Sequence, residues 1–309
     1  MREQLYFWVE RYLFIPNTLQ KILSYLLLPI TLLYCFIVFF KRLFAMPKGY
    51  GIPVISIGNL IVGGSGKTPF TIALASRLDN VAIVLRGYKR EGKGISVVSQ
   101  YGVITSTVSK SGDEAMLMAK MLPKATVIVS IDRVEGILKA KSLGAKVVIL
   151  DDGFSKASIK KLDILLKPSR PMPNTFCLPS GPYRESVRLY KKADLIAIED
   201  RDFRREVEIK NPTDRMVLVT AISKPQRLDK YLPSFIEKVY YPDHYTYSGN
   251  ELEAILRKYS ADSILTTQKD AVKMDDFRID LSILELNMTL EPYIYEKVNK
   301  YIKDFAKIS

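Results

Sequence analysis

Residues 58–68 read Gly58-Asn-Leu-Ile-Val-Gly-Gly-Ser-Gly-Lys-Thr68. The run before this stretch, Pro53 to Ile57, is apolar and β-branched, as a buried strand requires. The run after it, Pro69 to Leu78, places Phe70, Leu74 and Leu78 at helical spacing. Strand, glycine-rich turn, Gly-Lys-Thr and helix is the order of a phosphate-binding loop. Its glycines let backbone N–H groups approach an anion closely, and the helix start adds its positive dipole end. The nucleotide phosphates would lie on Ile61, Val62, Gly63, Gly64, Ser65 and Gly66. Lys67 would reach the β- and γ-phosphates, and the Thr68 hydroxyl would bind Mg²⁺. The strict spacing wants a glycine where Ile61 stands, so the match is partial. The plain alternative is a strand–helix turn that binds nothing; the Lys-Thr pair after the last glycine favours the nucleotide.

The totals bound what such a loop serves. At 309 residues the chain suits one large or two ordinary domains, and its 48% hydrophobic content is ample for a core. A net charge of +13 points to an anionic partner: nucleotide, acidic lipid headgroup, phosphorylated substrate or nucleic acid. Two cysteines, Cys35 and Cys177, exclude a disulfide framework or a cysteine zinc site and fit a reducing compartment. A single histidine, His244, leaves no cluster for a transition metal, so Mg²⁺ on oxygen ligands is the natural metal.

Working outward toward the N-terminus, Ile22 to Phe40 holds no charged residue over 19 positions, enough to cross hydrocarbon as one helix kinked at Pro29. Lys21 closes one end and Lys41-Arg42 the other. Lys41, Arg42 and Lys48 keep the remainder on the cytoplasmic side. Arg2, Arg11 and Lys21 balance them, so orientation rests partly on where ATP is found. The alternative is a helix lying in the membrane interface or docked on the protein.

Toward the C-terminus, short apolar runs alternate with helical patterns. Strands are predicted at 54–57, 81–85, 126–129, 147–150, 164–166 and 195–198. Helices are predicted at 68–78, 113–121, 133–143 and 186–193. Such alternation implies an α/β, P-loop NTPase-like, doubly wound parallel sheet, with ligands at the carboxyl ends of its strands. Polar residues fall there: Asn59, Arg86, Asp132-Arg133 and Asp151-Asp152. Asn211-Pro-Thr-Asp214 reads as a linker to a smaller α/β domain. The division is a membrane-associated segment at 1–48, a kinase domain at 49–210 and a C-terminal domain at 211–309.

Several residues could carry chemistry. An apolar strand ending in Asp151-Asp152 is the second half of a nucleotide site, holding Mg²⁺ directly or through water, or else an ordinary Asp-Asp-Gly turn. Asp113 is either a helix-start acid or a general base, and spacing does not choose. His244 is either structural or tunes a carboxylate base. Lys156 to Lys192 holds nine Lys or Arg against two acids, a solvated face or a surface for lipid headgroups. Its aromatics are not interleaved as stacking platforms would need, which disfavours single-stranded nucleic acid.

Together these motifs resemble the tetraacyldisaccharide 4'-kinases of lipid A biosynthesis. The resemblance is carried by Gly58–Pro69, Arg86-Gly-Tyr-Lys-Arg90, Gly112-Asp-Glu114, Asp132-Arg133, Asp151-Asp-Gly-Phe154, Gly181-Pro-Tyr-Arg-Glu185, Pro242-Asp-His-Tyr245 and Thr266-Thr-Gln-Lys-Asp270, in the family's order. The family's loop also lacks the first glycine. The resemblance implies transfer of the ATP γ-phosphate to the 4'-hydroxyl of a tetraacylated glucosamine disaccharide 1-phosphate. It places the enzyme at the cytoplasmic face of the bacterial inner membrane, held to the bilayer by the leading apolar segment; separately from the resemblance, a monomer is expected. It implies Asp113 as base with His244 beside it, Asp151, Asp152 and Glu185 around Mg²⁺, and Arg133 and Arg184 facing phosphate. Departures stand at Ser155-Lys156 for the usual Gln-His, Ala115 for Pro, Pro182-Tyr183 before Arg-Glu, and Gln268 for the Pro of Thr-Thr-Pro-Lys. A membrane-tethered P-loop ATPase acting as a switch or assembly factor is the rival reading.

Overall fold

The computed structural model describes residues 2–63, 66–88, 90–222, 225–233, 236–243 and 245–308. In chain order the elements are α1 (Arg2–Phe14), α2 (Thr18–Leu26), α3 (Leu28–Leu43), β1 (Val54–Asn59), α4 (Lys67–Ala75), β2 (Val81–Leu85), β3 (Ser96–Gln100), β4 (Val103–Ile104), α5 (Val108–Ser111) and α6 (Asp113–Met121). There follow β5 (Thr126–Val129), α7 (Arg133–Ser142), β6 (Val147–Asp151), β7 (Leu162–Lys167), β8 (Leu195–Ile198), β9 (Phe203–Lys210), β10 (Met216–Thr220) and β11 (Glu237–Tyr240). The last are α8 (Gly249–Tyr259), β12 (Ser263–Thr267), α9 (Gln268–Ala271), β13 (Leu281–Leu290) and α10 (Pro292–Ile308).

The strands form an eight-stranded sheet in the order β4-β3-β5-β2-β6-β1-β7-β8 and a five-stranded sheet in the order β11-β10-β12-β13-β9. The fold is mixed α/β with a large sheet whose β1, β7 and β8 run parallel, as do β2 and β5. All six residues of β1 and all five of β2 are buried, as strands covered on both faces should be. One edge departs from the expected parallel order: β3 pairs antiparallel with both β4 and β5. Ser96–Gln100 mixes buried and half-buried residues and lacks the continuous apolar run that marks the other strands. The helix expected over 186–193 is a 3-10 turn, Val187–Lys192.

The chain divides into two compact units, each discontinuous, whereas the sequence suggested continuous segments. The first unit is Met1–Lys67, Ile149–Phe203 and Glu291–Ser309; the second is Thr68–Val148 and Arg204–Leu290. The five-stranded sheet lies in the second, its β10, β11, β12 and β13 paired in parallel.

The single helix expected over Ile22–Phe40 is two helices, α2 and α3, bent by 55° at Leu27. Pro29 explains the break: it sits in the first turn of α3, where its missing N–H costs nothing, and it starts a new helix instead of kinking an old one. Among the described residues no single helix is long and apolar enough to cross a membrane; the bent pair passes that test by length and composition only. The pair is inside out. Its buried positions are the polar Gln20, Ser24 and Thr31, while Leu19, Leu26, Leu32, Leu33, Phe36 and Leu43 are exposed.

Candidate active site

In the first unit, β1 ends on Asn59 and α4 begins on Lys67, so the turn between them hangs from two rigid ends. Gly63 and Gly66 take φ of +91° and +82°, a region that glycine enters without strain. The turn is also held from the side. Ile61 bridges antiparallel to Tyr183, Val62 N–H donates to the Pro182 carbonyl at 2.8 Å, and Arg184 N–H donates to the Leu60 carbonyl at 2.7 Å. The Gly181–Glu185 segment is therefore a brace for the loop, which delivers Arg184 to it.

Side chains converge accordingly. Lys67 Nζ donates to Asn59 Oδ1 at 3.1 Å and lies 3.7 Å from Asp152 Oδ1. The Arg184 guanidinium grips Asp152 with both terminal nitrogens at 2.8 Å and donates to the Asn59 carbonyl at 3.0 Å. Burial pushes the Arg184 guanidinium down, but Asp152 and Glu185 outweigh it and its pKa is raised. Asp152 sits at φ +54° just after β6, and Asp151, the last residue of β6, is buried. Gly58 is required by proximity: a Cβ there would lie 2.7 Å from that of Phe154.

Side chains of α1 and α3 hold the brace and the residues just before it. Thr31 Oγ1 donates to Ser180 Oγ at 2.7 Å and accepts from Ser180 N–H at 3.1 Å. Tyr34 OH donates to the Arg184 carbonyl at 2.6 Å, and Tyr12 OH to that of Pro179 at 2.9 Å. Arg42, near the end of α3, binds both oxygens of Glu185 and donates to the Phe154 carbonyl at 3.1 Å, its guanidinium 4.3 Å over the Phe154 ring.

In the second unit, Gly112 at φ +88° takes the N-cap position and Asp113 is the first residue of α6, 5% exposed. Asp113 is thus not the cap. Its Oδ2 lies 3.5 Å from Lys269 Nζ, which lies 3.4 Å from Asp243 Oδ1. Burial alone would push the Lys269 ammonium down; the carboxylates, led by Asp113 and Asp243, reverse this and raise its pKa. The turn carrying Asp243 is pinned by tyrosines: the Tyr241 and Tyr245 hydroxyls donate to Glu251 and their rings stack at 4.3 Å.

Of the residues singled out from sequence, Asn59, Lys67, Asp152 and Arg184 stand together in the first unit. Glu185 lies beside them but is engaged by Arg42. Among the described residues no group of three or more His, Cys, Asp or Glu is arranged to hold a metal ion. Thr68 is the second residue of α4. Arg133 is 3% exposed, with Nη1 donating to the Ser130 carbonyl at 2.6 Å. Gly64, Ser65 and His244 lie outside the described residues. Two participants had no role assigned from sequence. Arg42 looked like a membrane flank, and nothing local signals a partner 143 residues away. Lys269 lay inside a quoted motif without a task.

The chain matches the family model described as Tetraacyldisaccharide-1-P 4'-kinase over residues 23–213 and 202–305. It is 49% identical to the tetraacyldisaccharide 4'-kinase of Aliarcobacter butzleri over 313 aligned residues, 99% of this chain and all of that one. It is 48% identical to that of Helicobacter pylori, covering 96% of each chain. A crystal structure of LpxK from Aquifex aeolicus in complex with ATP superposes with a TM-score of 0.77 at 31% identity, covering 92% of this chain and 99% of that one. The chain belongs to the tetraacyldisaccharide-1-P 4'-kinase family.

Proposed function

We propose that the chain transfers the γ-phosphate of ATP to the 4'-hydroxyl of a tetraacylated glucosamine disaccharide 1-phosphate. The observation that carries this reading is the convergence of Lys67 and Arg184 on Asn59 and Asp152 at the start of α4, in a chain that aligns end to end with named 4'-kinases. Phosphoryl transfer demands positioning and charge neutralisation more than covalent chemistry. Lys67 and Arg184 supply positive charge to the phosphates, while the braced loop supplies backbone donors. Asp113 accepts the proton of the 4'-hydroxyl as its oxygen bonds to the γ-phosphorus. The bond to the β–γ bridging oxygen breaks and ADP leaves.

The donor chemistry fits Mg²⁺. A nucleotide-bound Mg²⁺ takes one or two carboxylates with phosphate oxygens and water, not an all-protein cage. Asp151 and the Thr68 hydroxyl are hard oxygen donors of that kind, whereas Arg42 occupies Glu185 and Arg184 holds both oxygens of Asp152. Bound there, Mg²⁺ would neutralise charge on the transferring phosphate.

The bent pair α2–α3 seats the enzyme on the cytoplasmic face of the inner membrane. Its apolar side chains face outward and its polar ones inward, the arrangement expected of a surface solvated by lipid. The acyl chains of the substrate stay in the bilayer while the sugar reaches the site. The test is purified protein with radiolabelled ATP and a disaccharide-1-phosphate lipid, scored for a doubly phosphorylated product. ATP hydrolysis without lipid and no such product would favour the switch ATPase.

A further inference from the structure

The Thr266-Thr-Gln-Lys-Asp270 motif has no task in the reaction above, yet Thr267, Gln268 and Asp270, which flank Lys269, are each held by hydrogen bonds. Thr267 caps α9, its Oγ1 accepting from Asp270 N–H at 3.3 Å. Asp270 is fully buried and ties α9 to the end of β10, accepting from Thr220 Oγ1 at 2.7 Å and Ala221 N–H at 3.0 Å. Gln268 reaches β13, accepting from Leu286 N–H and donating to Glu285, both at 3.0 Å. A four-residue helix nailed down on both sides presents one long side chain, Lys269, whose ammonium lies between Asp113 and Asp243.

The charge chemistry gives this placement a consequence. A carboxylate 5% exposed loses hydration, which favours its neutral acid. A base must be ionised before it can take a proton, and an ammonium within about 4–6 Å restores the charged form. The 3.5 Å separation is longer than the roughly 2.7–2.9 Å of a charge-assisted hydrogen bond, so Lys269 supports the charge without occupying the oxygen as a close donor. Asp243 draws on the same ammonium. Among the described residues, the charged groups around Lys269 are Asp113 and Glu114 on α6, Asp243 on the turn before His244, and Asp270 on α9 itself, the last paired with Lys273 at 2.6 Å.

We infer that Lys269 is a positioning residue for the phosphoryl transfer, holding Asp113 ionised and aimed and tying it to the Pro242-Asp243 turn. This rests on Asp113 being the base, as proposed above. Removing the ammonium favours protonated Asp113, so the acid limb of the rate profile moves to higher pH. Removing the competing Asp243 charge moves it the other way.

The experiment uses the full-length enzyme in mixed micelles with the lipid disaccharide. It measures kcat, KM for ATP and the pH profile for wild type, Lys269→Met, Lys269→Arg, Asp243→Asn and Asp113→Ala, with ATP-dependent thermal protection as the check on folding. Lys269→Met is expected to lower kcat at neutral pH by about tenfold or more, with KM for ATP within about twofold, and to raise the acid limb by about one pH unit. Lys269→Arg returns the limb to its wild-type position, and Asp243→Asn lowers it. A limb that stays put in both Lys269→Met and Asp243→Asn, with activity falling equally at every pH, overturns the inference and leaves Lys269 a scaffold. If Lys269→Met does not fold, Lys269→Arg and Asp243→Asn decide alone. If Asp113→Ala turns over like wild type, the base reading itself falls and the inference with it. An inactive Asp113→Ala beside an unmoved limb sinks only the role of Lys269.

Discussion

The two charged clusters use the same groups in opposite proportion. In the first unit, Lys67 and Arg184 close on the single carboxylate of Asp152, while Arg42 and Glu185 cancel each other. In the second, Lys269 stands between Asp113 and Asp243. Two cations on the Asp152 carboxylate suit a phosphate chain; an ammonium between the Asp113 and Asp243 carboxylates suits the taking of a proton. The overall charge of +13 therefore says little about either site. Local stoichiometry sets the task, because buried and half-buried groups feel neighbours within a few ångströms far more than the distant field.

The sharpest way to break this contrast is to delete one member from each side. Lys67→Ala is expected to cost about 10²–10³-fold in turnover, the scale of one lost charge-stabilising donor, and to abolish most thermal protection by ATP. Asp113→Ala is expected to cost about 10²–10⁴-fold, the scale of a lost general base, with protection by ATP retained. Thermal shifts with and without ATP, read beside kcat, check both. Equal loss of ATP protection in the two variants would mean that the clusters do not divide the work as proposed.

Much of this was legible in the sequence, and for identifiable reasons. The strands at 81–85 and 126–129 carry their own evidence, since burial on both faces favours a near-continuous apolar run, while 195–198 is an edge strand whose buried and half-buried residues alternate. Only the Asn59–Lys67 part of the first cluster is short-range: the two flank one turn, so spacing alone brings them together, whereas Asp152 and Arg184 arrive through the fold. The β3–β4 edge was not legible, because mixed burial leaves no clear period. The break at Leu27 was hidden because composition cannot tell a Pro that kinks a helix from one that starts the next. Arg42 with Glu185 and Lys269 with Asp113 were invisible for a different reason. Each pair is joined by the fold across more than a hundred residues, and a lone basic side chain announces no partner.

Arg42→Ala sharpens the comparison through stability rather than turnover. The paired side chains of Arg42 and Glu185 are 18% and 10% exposed, so removing the arginine strands a largely buried carboxylate. A cost of about 3 kcal/mol is expected from the loss of one partner of a buried pair. Denaturant melts would read it. Adding Glu185→Gln should recover part of that loss, since the stranded charge goes with it. The deletion also removes one of the links from α3 to the brace, beside those of Thr31 and Tyr34, so ATP protection should weaken modestly, while the pH limb set by the second cluster stays where it is.

The smallest expected effect tests whether the second cluster depends on a rigid platform. Thr267 is 9% exposed, caps α9, and donates back to Asp270 Oδ2 at 3.1 Å. Thr267→Ala removes both interactions at a cost of about 1 kcal/mol, the usual loss for a helix cap. The Lys269 charge is unchanged in this variant; only its support is loosened. Turnover should therefore fall by less than in Lys269→Met, with the acid limb broadened or shifted slightly upward and ATP protection unaltered. Thr267→Ser keeps the hydroxyl and should behave as wild type in all three. A full-sized kinetic defect in Thr267→Ala with the limb unmoved would mean that the shape of α9, and not the charge it presents, is what the reaction needs.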